Sequence, residues 1–344
     1  MALLITDDDL PQLLSMRNAI DVAESAIREF QDGHAENLPR HHFYAQGQAG
    51  TFFMRDFQGA LPKLNVAGIR ITTDMLDPKQ PRPEARPFGA FLLFDLSTAS
   101  LLAVIHDHEL QRLRVGAETG VAARHLARKD AKTVGLLGSG FQAETQLLAV
   151  CSEREVERVE VYSPNPEHRR SFAQKMEKKL GISVMAVESA ERAVKEKQLI
   201  LASTNSTEPI LNGSWISEGT HITSIVNSDQ RFRRRELDDE TFARADIVVV
   251  GYLEQTQRDH AADIFDAIEA GALDWARVCE LGDVISGKRP GREKSDQITI
   301  FKNNGLAVEF VALASEAYQI ARSQGRGEEI PSHYFSALRS PRAK

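Results

Sequence analysis

Apolar residues recur at helical spacing between Met16 and Gln31, where Ile20, Ala23, Ile27 and Phe30 share one face, and the pattern stops at Asp32-Gly33. The chain then changes rhythm. Leu38–Tyr44, Gly50–Arg55 and Leu64–Thr73 are short, partly alternating segments bounded by Gly and Pro, and they read as strands. Gly89–Phe94 and Leu101–Ile105 read as a hairpin across Asp95–Ser100. Before it, Pro78, Pro81, Pro83 and Pro87 stand among charges, a stretch too polar for a core and suited to a flap. Helical spacing returns from His108 to Lys129, with Leu110, Leu113, Ala117 and Val121 on one stripe. Gly116, Gly120, Ala122 and Ala123 make that helix thin, so another element can pack closely on it.

Past Asp130 strand-length apolar runs alternate with helical stretches. Val134–Leu137, Val159–Tyr162, Ser183–Val187, Leu199–Ala202, His221–Val226 and Ile247–Val250 are the strands. Glu144–Val150, Glu167–Leu180 and Ala190–Lys197 are the helices between them. This order implies a parallel, doubly wound sheet. Ile298–Phe301 closes the region. A last helix, Leu306–Ser323, carries Leu306, Phe310, Leu313 and Ala317 on one face, ends at Gly325 and is expected to return to the first domain. The fold class expected is α/β: a Rossmann-type doubly wound sheet over residues 130–305, plus an α+β domain made of residues 1–129 and 306–344.

The junction at the first of these strands carries chemistry. Gly138-Ser139-Gly140-Phe141-Gln142-Ala143 follows Val134–Leu137 at once and opens a helix, which is the G-x-G-x-x-G/A spacing of a dinucleotide site. Gly138 permits the sharp turn, Gly140 lets the backbone approach a pyrophosphate, and Ala143 lets helix and strand pack tightly. The helix start offers N–H groups and a positive dipole end to phosphates.

Composition narrows the setting without changing this picture. A chain of 344 residues with ordinary apolar and charged fractions suggests about two globular domains. The net charge of −7 argues against a nucleic-acid or anionic-membrane partner. Two cysteines, Cys151 and Cys279, without a CxxC spacing, fit a reducing compartment and give no metal site. The N-terminus turns acidic at Asp7-Asp8-Asp9, unlike a signal peptide, and no apolar run approaches the roughly 20 residues of a membrane span. The expectation is a cytoplasmic protein.

Other candidate residues sit at strand ends. About 20 residues past the glycines an NAD-preferring site places an acid to hold the ribose hydroxyls. Here that place is Ser163, with His168, Arg169 and Arg170 beyond it, a set better suited to a 2′-phosphate. NADP (NADPH) is therefore expected, with NAD the alternative. The competing reading of Arg169 and Arg170 is a solvated first helical turn. Ser203, Thr204 and Asn205 follow the strand Leu199–Ala202 and could flank the nicotinamide ribose, or form an ordinary turn. Val226, Lys302 and Asn303, at later strand ends, complete the expected cofactor contacts. Arg40, Arg70 and Arg114 stand in or beside apolar segments, where a charge needs a partner. Together they would clamp a small-molecule carboxylate; singly each also fits an ion pair within the fold. Asp229, after the strand His221–Val226, is placed to give a proton to an imine nitrogen, or is a turn aspartate.

The run Leu113-Arg-Val-Gly-Ala-Glu-Thr-Gly-Val-Ala-Ala-Arg-His-Leu-Ala-Arg-Lys-Asp-Ala131, continuing into Val134–Ala143, resembles the ornithine cyclodeaminase/mu-crystallin family. So do Phe91-Leu-Leu-Phe-Asp-Leu96, Leu281-Gly-Asp-Val-Ile-Ser-Gly287 and Ile298-Thr-Ile-Phe-Lys-Asn-Asn-Gly305, in collinear order over most of the chain. The resemblance implies a homodimer built on the N-terminal domain, with residues 130–305 binding NAD(P). It implies that Arg40 and Arg114 bind the substrate carboxylate and that Asp229, in a loop about two residues longer than the family pattern, is the catalytic aspartate. Arg70 falls where the family usually has a substrate-contacting lysine, so it is a catalytic as well as a binding candidate. Phe52 falls near where ornithine-specific members carry an acid. The activity implied is reduction of an imino acid, or of the imine of a 2-oxo acid, with the amino-acid dehydrogenase reaction as its reverse. Ammonia-releasing cyclodeamination with recycled NAD, and NADPH binding without turnover as in mu-crystallin, are the alternatives. Phe52 counts against the first of these, and Arg70 keeps the second open.

Overall fold

In the computed structural model, residues 1–48, 50–76, 87–228 and 231–335 are described. The proline-rich flap expected around Pro78, Pro81 and Pro83 lies outside them, as does Asp229. The chain falls into two compact units: Met1–Ser15, Asp32–Gln111 and Ala307–Lys344 form one, and Met16–Gln31 with Arg112–Leu306 the other. This partition differs from the sequence expectation at two places. Residues 16–31 and 112–129 pack with the dinucleotide unit. The cause is the thin helix, Asp107–Leu126. A Cβ at Gly120 would come within 2.4 Å of the Ile20 side chain, and one at Gly116 within 2.9 Å of the Thr145 carbonyl oxygen. Arg124 adds charged ties, donating to Glu24 at 2.6 Å, to Asp21 at 2.7 Å and to Glu153 at 2.8 Å.

The first unit is built on strands β1 (Ala2–Ile5), β2 (Glu36–Asn37), β3 (His41–Gly47), β4 (Gly50–Leu61), β5 (Val66–Leu76), β6 (Gly89–Asp95) and β7 (Leu101–His106). With the strand Glu328–Ile330 they form one eight-stranded sheet. Its order is Glu328–Ile330, β1, β7, β6, β5, β4, β2, with β3 also on β4. The register sets Phe57, Arg70, Phe91 and Ile105 in one row across the sheet, hence on one face. The helix Ala307–Gln324 covers this row through Phe310, whose ring is 5.8 Å from Phe57 and 6.3 Å from Phe91. Asn37, far away in sequence, starts that helix: its side-chain oxygen accepts from Ala307 N at 2.6 Å and Val308 N at 3.2 Å. Burying Phe310 stabilises the unit by about 1.5–3 kcal/mol.

The second unit carries β8 (Thr133–Leu137), β9 (Arg158–Tyr162), β10 (Ser183–Ala186), β11 (Leu199–Ala202), β12 (His221–Ser224), β13 (Ile247–Val250), β14 (Val278–Glu280) and β15 (Thr299–Lys302). They pair in the order β10, β9, β8, β11, β12, β15, β13, β14, all parallel. Val159, Ile200, Val248 and Ile300 are buried, as a sheet covered on both faces requires. Leu147, Val150, Phe172 and Met176 cover one face. Phe242, Ile264 and Ala267 cover the other. The strand order reverses between β8 and β11, the switch point at which open α/β sheets bind ligands. No helix among the described residues is long and apolar enough to cross a membrane.

Candidate active site

At the end of β8 the chain turns through Gly138 at φ +110°. A Cβ there would lie 2.1 Å from the carbonyl oxygen of Ser203, so only glycine fits. At Gly140 an added Cβ would meet nothing within 4 Å, which leaves a bare backbone facing open space. The helix Ala143–Glu153 then begins without a side-chain cap from Gln142. The next helix, Pro166–Leu180, differs. Asn165 caps it, accepting from Glu167 N at 2.9 Å and His168 N at 3.2 Å.

A cavity of about 510 Å³ opens above this turn. Gly138, Ser139, Gly140, Phe141 and Gln142 line it from the turn, and Ser163, Pro164, Asn165 and His168 from the end of β9. Ser203, Thr204 and Asn205 close it from β11, and Ile225 from β12. The Ser139 and Ser163 hydroxyls sit 2.7 Å apart. Ser203 Oγ is buried and has no hydrogen-bond partner among the described residues. An orphaned hydroxyl of this kind costs about 1–3 kcal/mol unless a ligand meets it. The bare floor at Gly140 and the waiting hydroxyl at Ser203 fit the phosphates and ribose of a dinucleotide.

Five expected cofactor residues do not line this cavity. Ala143 is buried in the helix start, as its packing role requires. Arg169 is buried: it donates to Ser163 O at 2.9 Å, to Pro164 O at 3.4 Å and to Glu188 at 2.6 Å, so it braces the β9 turn instead of facing a phosphate. Val226 is buried beside Ile225, the neighbour that does reach the cavity. Lys302 is buried with its ammonium on Ser224 Oγ at 2.9 Å, Asp263 at 2.6 Å and the Val226 carbonyl. Asn303 donates to Val115 O at 2.9 Å and Thr119 Oγ1 at 3.1 Å. Lys302 and Asn303 therefore support the site from behind. Glu236 and Asp263, which join Lys302 there, carry no motif that would reveal them in sequence.

Of the three arginines, Arg40 and Arg70 belong to the first unit and Arg114 to the second. Arg40 is buried with its guanidinium 5.3 Å from the centre of the Phe57 ring. Arg70 grips Asp107 with two nitrogens, Nε on one carboxylate oxygen and Nη2 on the other at 2.7 Å, and lies over the Phe310 ring. Its Nη1 makes no hydrogen bond among the described residues. Arg114 is also buried, donating to Glu118 at 2.7 Å and to Asn303 Oδ1 at 3.1 Å. Each buried arginine thus has an ionic or aromatic neighbour inside its own unit. Phe52 is half-buried on β4, across from Ala45 and Met75.

Beside the turn a second cavity of about 360 Å³ shares Ser139, Gly140, Phe141 and His168 with the first, and adds Arg112, Glu144 and Lys175. Burial opposes the charge on Glu144, but Lys175 and Lys179, each 2.7 Å away, bring its carboxyl down to about 2. The thiols are set the other way. Burial pushes Cys151 up to about 12 and Cys279 up to about 11, so neither is a nucleophile near neutral pH.

With this geometry in hand, the chain compares closely with known proteins. The family model for the ornithine cyclodeaminase/mu-crystallin family matches residues 2–325. A Delta(1)-pyrroline-2-carboxylate reductase of Bacillus cereus is 31% identical over 334 residues, which are 95% of this chain and 99% of that protein. The structure of Thermococcus litoralis Delta(1)-pyrroline-2-carboxylate reductase, in complex with NADH and L-proline, superimposes with a TM-score of 0.88 at 33% identity, covering 95% of this chain and 100% of that one. An archaeal alanine dehydrogenase dimer with bound NAD gives a TM-score of 0.84 at 30% identity, covering 96% and 99%.

Proposed function

We propose that this chain, which belongs to the ornithine cyclodeaminase/mu-crystallin family, is an NAD(P)H-dependent oxidoreductase acting on C=N or CH–NH bonds. Its substrate in this reading is a small imino acid, cyclic or formed from a 2-oxo acid and an amine, and the reverse reaction is an amino-acid dehydrogenase. The observation that carries the reading is the switch-point cavity, with its bare floor at Gly140 and orphaned hydroxyl at Ser203. That cavity sits in a chain similar over 95% of its length to a C=N reductase.

A bound nicotinamide supplies the hydride. The chain's own residues orient the substrate and move the proton. Arg40, Arg70 and Arg114 are the proposed contacts of the substrate carboxylate, and Asp229 the proposed proton donor to the imine nitrogen. Arg70 suits a holding role and not a proton-carrying one. A guanidinium keeps its proton near neutral pH, Asp107 fixes its direction, and Nη1 stays available for an anion.

NADPH is the proposed preferred cofactor. No carboxylate lines the cavity among the described residues, so the ribose 2′-hydroxyl lacks the acceptor an NAD site supplies. A 2′-phosphate would instead meet the Ser139 and Ser163 hydroxyls and His168, with Arg112 and Lys175, both paired with Glu144, in the adjoining cavity. The proposed assembly is a homodimer. Ile69, Leu92 and Val104 lie in one row on the sheet face opposite Phe310 and are only half-buried. The proposed compartment is the cytoplasm, where the two free cysteines would stay reduced.

The test is direct. NADPH and NADH are titrated by fluorescence, and cyclic imino acids, and 2-oxo acids with ammonia or methylamine, are screened for cofactor oxidation. Tighter NADH binding reverses the cofactor preference. Ammonia release from ornithine without net cofactor change replaces the reductase with a cyclodeaminase. Tight NADPH binding with every substrate inert leaves a binding protein. Sedimentation at micromolar concentration reads the dimer, and a monomer there removes it.

A further inference from the structure

Behind the cavity, where β11, β12 and β15 end, lies a closed group of charges. Glu236 is 0% exposed, Asp263 1% and Lys302 1%. One oxygen of Glu236 accepts from Thr204 N at 2.6 Å and Thr204 Oγ1 at 2.8 Å. The other accepts from Ile225 N at 3.1 Å, Val226 N at 3.0 Å and Ser224 Oγ at 2.8 Å. Asp263 accepts from Glu236 N at 2.9 Å, Leu237 N at 3.1 Å and Lys302 Nζ at 2.6 Å. The ammonium of Lys302 thus pairs directly with Asp263 and reaches Glu236 through the Ser224 hydroxyl, and main-chain N–H groups balance the remaining charge.

Such an arrangement is an expensive way to make a fold stable. Buried ion pairs often do no better than apolar residues of the same size. What this one does, which apolar residues could not, is fix the backbone of two separate turns. Thr204 and Ile225, the residues whose N–H groups Glu236 holds, are themselves walls of the cavity. Ser203, with its orphaned hydroxyl, is next to Thr204.

We infer that Glu236 is the positioning residue of the dinucleotide pocket: its single carboxylate sets the spacing of the β11 and β12 turns that close on the cofactor, and Asp263 and Lys302 hold it in register. This rests on reading the cavity as the NAD(P)H site. A carboxylate has acceptors on both oxygens, and five donors point at them. Glutamine would turn two hydrogens toward one set of these donors, so Glu236→Gln must push the two turns away from each other.

The experiment compares full-length wild type, Glu236→Gln and Ser224→Ala. Glu24→Gln serves as a stability control, because Glu24 pairs with Arg124 and His125 in the same unit, outside the cavity lining. Each is titrated with NADPH and NADH at a temperature where circular dichroism shows it folded, and assayed on the substrate found above. The expected result is a Kd raised at least tenfold in Glu236→Gln and at least threefold in Ser224→Ala. Glu24→Gln stays within twofold despite a lower Tm. KM for the cofactor rises more than kcat falls, which simple loss of folded protein would not produce. If Glu236→Gln does not fold, Ser224→Ala decides alone. Folded variants that bind as wild type overturn the positioning role and leave the function standing. A wild type that binds neither nucleotide removes the function and this inference with it.

Discussion

The two sides of the switch point are built by opposite means. On the β8–β9 side the cavity wall is backbone laid bare: Gly138 has no room for a side chain, Gly140 lacks one over open space, and the helix after them begins uncapped. On the β11–β12 side the wall is backbone held in place by buried charge, through Glu236, Asp263 and Lys302. The first device needs six consecutive residues. The second draws on side chains scattered from Thr204 to Lys302. The lesson is that one function can be half written in a motif and half in packing that no short window of sequence displays.

The largest effect is expected at the glycine side. Gly138→Ala puts a Cβ 2.1 Å from the Ser203 carbonyl at a positive φ, so nucleotide binding should be lost altogether. Fluorescence titration reads this, and a Gly138→Ala variant that still binds would show that the turn can shift as the opposite wall cannot. Next comes Lys302→Met, which leaves the buried Asp263 carboxylate without its ammonium; the expected loss is about 3–5 kcal/mol in urea unfolding. A loss below about 1 kcal/mol would mean that the main-chain donors alone balance the charge.

Asn165→Ala should cost about 1 kcal/mol, since it removes the cap that sets the second turn apart from the first. The smallest effect is one of pH. The Glu144 carboxyl, in the first turn after the glycines, is held at about 2 against its ordinary value of 4.5. A depressed carboxyl adds stability that is complete above pH 4.5 and lost as the pH falls from there toward 2. Glu144→Gln should therefore flatten the acid limb of a Tm-versus-pH curve over that window; an unchanged limb would assign it to other groups.

What can be read from the sequence follows the same division. The helix Met16–Gln31 and the strands Leu199–Ala202 and Ile247–Val250 stand where their apolar period puts them, because local pattern decides them. The strand Ala2–Ile5 is not legible in this way: its four residues carry little periodicity, and one of its partners, Glu328–Ile330, lies almost the whole chain away. Nine cavity residues follow from motif and strand-end reasoning, from Gly138 to Asn205. Arg169 shows the limit of that reasoning, since composition finds a cation near a turn but not which way it points. The domain boundary differs for a similar reason. The Gly116 and Gly120 face says that something packs closely, and only the fold says that it is Ile20 and Thr145.

The first unit is gathered from three stretches of chain, and the helix bearing Phe310 is in the last of them. On the ribosome this has an order. Every strand of the dinucleotide unit has been synthesised before residue 307 is added, whereas Phe57 and Phe91 still wait for the ring that covers them. The nascent chain therefore carries a finished parallel sheet while the mixed sheet of the first unit still has its aromatic row bare. Chaperone capture of arrested chains should fall when synthesis passes the helix Ala307–Gln324, and not when β15 is completed.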